Sequence, residues 1–125
     1  MSKLKHIAIT SNNPSDTANF FIEALGLSEV ERAPDNEGVM LTDGYMSVAI
    51  LKFKHDRYGG GHPGLNHLGF KIDNLPDQEK VVLKNGGQEL SEWNEAYSDS
   101  VGEKKYMSPE GISFDLNPTG WNTSI

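Results

Sequence analysis

The segment Leu4-Lys5-His6-Ile7-Ala8-Ile9 returns as Leu65-Asn66-His67-Leu68-Gly69-Phe70, with leucine and histidine in matching places and an alternating tail after each. The same offset carries Gly26, which closes a first helical stretch, onto Gly87, which closes a second, so the repeat spans a strand plus a helix. A chain of 125 residues has room for one compact domain, and this one is constrained to build it from two similar modules.

Residues 4–10 alternate as a strand, and Asn12-Asn13-Pro14-Ser15-Asp16 forms a turn and helix start. Phe20, Phe21, Ala24 and Leu25 then recur at helical spacing within 16–25, before Gly26 ends the helix. Residues 27–33, 38–42 and 45–54 read as strands, separated by Pro34-Asp35-Asn36-Glu37 and by the hairpin signal Asp43-Gly44. Residues 55–64, with Gly59-Gly60-Gly61 and Pro63, have linker chemistry. A strand at 65–73, a helix at 76–85 and strands near 88–91, 101–107 and 112–117 make the second copy, while 92–100 is too polar to assign. The expectation is one α+β domain over 1–125, with a first module over about 1–54 and a second over about 65–125. Two tandem βαβββ modules would form a curved mixed sheet around a concave cleft, with the helices outside.

The net charge of -7 and the lack of a Lys/Arg cluster argue against a nucleic-acid backbone as partner, because phosphate recognition needs a basic footprint. A membrane partner is disfavoured likewise: no apolar run approaches the roughly 20 residues that span a bilayer. The chain passes from Met1-Ser2-Lys3 directly into a strand pattern with no signal-peptide apolar region, so a cytoplasmic location is expected. There is no cysteine, so any metal must be held by histidine and carboxylate.

Side chains alternate across a strand. In the first strand Ile7 and Ile9 take the helix-facing side and His6 the other. Leu68, Phe70 and Ile72 do the same against His67, and Ile112, Phe114 and Leu116 against Ser113, Asp115 and Asn117. A lone strand histidine is ordinarily a surface or satisfied core residue. Asp115, between two apolar neighbours, needs a partner, either an ion or a Lys or Arg across the sheet. Two imidazoles and a carboxylate on one face make the 2-His-1-carboxylate set, which leaves positions open for water and a substrate oxygen pair.

The first-strand His6, the Phe20 to Gly26-Leu27 helix exit, Asn66-His67-Leu68-Gly69-Phe70 and the ending Ser108-Pro109-Glu110-Gly111-Ile112-Ser113-Phe114-Asp115-Leu116 together resemble the vicinal oxygen chelate superfamily. It includes glyoxalase I, extradiol dioxygenases, fosfomycin-resistance proteins, methylmalonyl-CoA epimerase and bleomycin-binding proteins. The resemblance implies a divalent ion, Fe(II), Mn(II), Zn(II), Ni(II) or Co(II), held by His6, His67 and Asp115. The family's usual carboxylate is Glu, and Asp, one methylene shorter, requires a closer backbone approach. Leu51 stands where glyoxalase I has a further carboxylate, so literal glyoxalase I activity is not expected.

The resemblance also implies a small oxygen-rich substrate chelated through vicinal oxygens, with dioxygenase or isomerase/lyase chemistry. It makes Tyr106 a candidate proton-transfer residue, and it implies a homodimer, whose sites could draw residues from both chains. His55 and His62 flank the Gly-rich linker and could close over a site. Trp121 could seal a pocket or interface. The alternative is a metal-free protein that binds or sequesters a small molecule, as bleomycin-resistance members do.

Overall fold

The computed structural model describes residues 2–54, 61–97 and 102–124. Its backbone groups into two compact units, one of His6–Asn66 with Trp121–Ile125 and the other of Met1–Lys5 with His67–Gly120.

In the first unit, strand β1 (Lys3–Ser11) leads into helix α1 (Pro14–Leu25). The Asn13 side chain caps the helix by accepting from the Asp16 backbone N–H, with Pro14 in the first turn, where its missing N–H costs nothing. Gly26 ends the helix at φ 74°, a left-handed conformation that glycine adopts without a Cβ penalty. Strands β2 (Ser28–Arg32), β3 (Gly38–Thr42) and β4 (Ser47–Lys52) follow, in spatial order β2-β3-β4-β1. β4 is antiparallel to β3 and parallel to β1, so His6 pairs with Ser47 and Ala8 with Ala49. The α1 stripe seals one sheet face: Ala18, Val39, Leu41 and Ile50 are buried together, with Ile9, Phe21, Ile22, Leu27 and Val48 packed around them.

The second unit repeats the pattern. Strand β5 (Gly64–Lys71) leads to helix α2 (Leu75–Lys84), capped by Asn74 accepting from the Asp77 N–H. Strands β6 (Gln88–Glu89), β7 (Lys104–Met107) and β8 (Ser113–Asn117) complete the order β6-β7-β8-β5, with β8 parallel to β5 and antiparallel to β7. Ile72, Tyr106 and Leu116 form its buried core, with Phe70, Leu75, Val82 and Phe114 around them.

The two-module α+β expectation is met, with element ends displaced by at most three residues, as helix and strand termini commonly are. The exception is the segment left unassigned, which contains helix α3 (Ser91–Tyr97). Its reason is a side chain facing backbone: Asn94, buried, accepts from the Lys105 N–H at 2.7 Å and donates to the Lys105 carbonyl at 3.0 Å. A polar helix is thereby bound to β7 by hydrogen bonds rather than by an apolar stripe.

At Gly87 a Cβ would sit 2.5 Å from Val82 Cγ1 and 3.0 Å from the Val82 carbonyl oxygen. Gly87→Ala is therefore expected to destabilise the chain by about 1–3 kcal/mol, the usual range for overpacking. Urea unfolding checks this, and an unchanged midpoint would contradict the close packing of α2 on this turn.

Candidate functional site

β8 places Asp115 on the face of the second unit's sheet opposite α2. Its neighbours Phe114 and Leu116 turn toward α2, so alternation directs Asp115 and Ser113 to the opposite side. Asp115 is only 4% exposed. Burial by itself raises a carboxyl pKa, yet Asp115 is held below its usual 3.8, because His67 and Lys105 together outweigh the desolvation.

The contacts are direct. His67 Nε2 lies 3.0 Å from Asp115 Oδ2, and the Lys105 ammonium donates to Oδ1 at 2.6 Å. Lys105 is the cross-strand partner of Asp115 and is as buried as the carboxylate, and its Nζ lies 4.8 Å from the centroid of the Trp93 ring on α3. Ser113 is buried too, and its hydroxyl oxygen has no hydrogen-bond partner among the described residues.

In the first unit His6 is 5% exposed, and its Nδ1 is 2.9 Å from the Ser47 hydroxyl, the residue facing it on β4. Its ring stacks on Trp121 with centroids 4.6 Å apart and planes 5° from parallel. The imidazole is thus fixed on one nitrogen and one face, the outer support that metal-ligating histidines characteristically have.

Within the second unit, the His67 imidazole and the Asp115 carboxylate each offer one ligand atom of a type that suits a divalent ion. Two bonds of about 2.1 Å at a right angle separate their donor atoms by about 3.0 Å. The His67 to Asp115 spacing has that value. The same distance is a hydrogen bond when Nε2 carries a proton, so the pair suits either state.

Of the predicted residues, His67 and Asp115 meet directly, and His6 is buried with its own supports. Tyr106 requires a correction. It lies fully buried in the core beneath α2, stacked on Phe114, and its hydroxyl donates to Glu79 at 3.0 Å. Alternation along β7 turns it away from the face that Lys105 and Asp115 share, so it has no access to chemistry there. Its hydroxyl pKa is pushed up by burial and by Glu79. His62 is exposed and bonded to the Pro63 carbonyl, and His55 lies outside the described residues.

An apolar cavity of about 320 Å³ opens on the α2 side of the sheet, lined by Leu68, Phe70, Val82, Phe114 and Leu116 among others. It contains none of the predicted site residues.

Sequence reasoning missed Lys105, Trp93 and Ser113 as members of the site. A Lys or Arg across the sheet from Asp115 was one of two partners its burial demanded, but only the β7–β8 register identifies it as Lys105.

Comparison with known proteins fits this architecture. The chain belongs to the Glyoxalase/Bleomycin resistance protein/Dioxygenase superfamily, whose family model matches residues 3–116. Among solved structures it is similar to the hypothetical protein BH1468 from Bacillus halodurans C-125, at 18% identity, TM-score 0.70, and 99% of both chains covered. It is also similar to a methylmalonyl-CoA epimerase solved with methylmalonyl-CoA and NH4+, at 17% identity and TM-score 0.64, covering 93% of each chain. A third similar structure is BphC, a halotolerant catechol dioxygenase, at 14% identity and TM-score 0.66, covering 97% of this chain and 40% of that one. At these identities the likeness is one of fold. No curated protein sequence matches the chain.

Asp115→Asn leaves the Lys105 ammonium buried without its counter-charge, and breaking such a pair typically costs about 3–5 kcal/mol. Because the folded carboxyl pKa is depressed, Asp115 contributes stability above the ordinary carboxylate range and loses it as pH falls through the folded value. Denaturant unfolding at neutral and acid pH should show a large deficit for the variant at pH 7 that narrows on acidification. A deficit independent of pH would contradict the ion-pair account.

Proposed function

We propose that the chain is a divalent-metal-dependent enzyme acting on a small oxygen-rich substrate chelated through adjacent oxygens, with His6, His67 and Asp115 holding the ion. The reaction class proposed is dioxygenase or isomerase/lyase. The observation that carries this reading is the buried His67–Asp115 pair, whose donor spacing suits one ion and whose strand face also carries the Ser113 hydroxyl, unsatisfied among the described residues.

In this reading Ser47 and Trp121 hold the His6 ring in one orientation. Asp115 contributes the single negative charge, and Trp93 keeps water from the Lys105 ammonium beside it. A divalent ion bound there supplies Lewis acidity as negative charge builds on the substrate.

The proposal includes a cytosolic, homodimeric protein. Among the described residues, no helix is long and apolar enough to cross a membrane. Phe20, Leu25 and Leu65 are large apolar side chains left mostly exposed, and they offer surface to a second copy.

One observation favours a second reading. Lys105 already matches the charge of Asp115, so the pair is balanced without an ion, as a metal-free small-molecule binding protein would require.

Elemental analysis of protein purified without added metal, followed by calorimetric titration with Mn(II), Zn(II), Ni(II), Co(II) and anaerobic Fe(II), separates the two. The metal reading predicts about one ion per chain, with His6→Ala and His67→Ala each weakening uptake by at least about tenfold. No uptake of any of these ions would leave the metal-free reading standing.

A further inference from the structure

Three features of the second unit bear on what must accompany an ion at Asp115. The first is charge. Asp115 and Lys105 form a balanced buried pair, so a divalent cation added at this carboxylate would face an ammonium bonded to its other oxygen.

The second is that Lys105 is held in place. Its backbone is bonded on both sides by Asn94, the Leu90 N–H donates to its carbonyl at 3.0 Å, and Trp93 covers its ammonium. With 3% of its surface exposed, it cannot swing into water without moving α3. The third is Ser113, two residues before Asp115 on the same strand face, whose buried hydroxyl donates to nothing among the described residues. A buried polar atom without a partner is rare enough to point to one that arrives with a ligand.

We propose that Lys105 is a positioning residue that couples ion binding to an oxyanion: the ion and a small carboxylate-type anion strengthen each other's binding, with the anion facing the Lys105 ammonium and the Ser113 hydroxyl. This rests on the metal reading above and adds to it the sign of the ligand's charge and the residues that select it. The anion offsets charge that the ion adds. By linkage, whatever factor the anion adds to ion affinity, the ion adds to anion affinity. Removing the Lys105 charge should therefore strengthen ion binding alone and abolish its dependence on the anion.

The test is Mn(II) binding to the full chain, followed by electron paramagnetic resonance and calorimetry, with and without oxalate and corrected for Mn(II)–oxalate association in buffer. In the unmodified protein oxalate should tighten Mn(II) binding by about tenfold or more. Lys105→Met should bind Mn(II) alone about tenfold more tightly than the unmodified protein and lose most of the oxalate effect. Lys105→Arg keeps the charge and should retain the coupling, which guards against loss of packing in the Met variant. Ser113→Ala should weaken the oxalate effect.

Mn(II) binding indifferent to Lys105→Met, or oxalate coupling of equal size in that variant, overturns the role of Lys105 while leaving the metal reading intact. Absence of Mn(II) binding in every chain, with and without oxalate, overturns both.

Discussion

A carboxylate in the middle of a strand, almost wholly removed from water, is the constraint around which the second unit's sheet face opposite α2 is organised. An isolated buried charge is so costly that the group would neutralise itself instead. Asp115 remains ionised because His67 and Lys105 each take one of its oxygens. Lys105 in turn is a buried cation, and Trp93 and Asn94 exist in their positions on α3 to cover its ammonium and bind its backbone. The polar character of α3, which hides it from pattern reading, follows from this duty.

Strand alternation accounts for how much was legible in the sequence. Once a helix stripe covers one face, every second residue of β1, β5 and β8 is committed to the other. The repeat of Leu-x-His then assigns His6 and His67 to that face without any structure. The helix caps repeat as well: Asn13 with Asp16 and Asn74 with Asp77 occupy equivalent positions, a signal in the sequence that strengthens the two-module reading.

What was not legible depends on pairings far apart in the chain. The partner of Asp115 is fixed by the β7–β8 register, and no local pattern distinguishes Lys105 from Lys104, which faces the other way toward Glu79 and Glu89. In the sequence Trp121 suggests a seal for a pocket or interface, and its stack on His6 is visible only in the structure. Tyr106 was drawn toward the site by resemblance, but its strand parity places it in the core.

Family membership and a shared fold do not select the chemistry, because one scaffold hosts many reactions. The site decides, and it carries two features that pull apart: donors spaced for an ion, and a cation already on the carboxylate. The most direct test is a crystal structure grown with Mn(II) and oxalate, with anomalous difference maps recorded at the manganese edge. The account predicts one strong peak bonded to His6, His67 and Asp115, with the anion lying toward Lys105 and Ser113. A map without a peak at these side chains, or with manganese bound elsewhere, would contradict it.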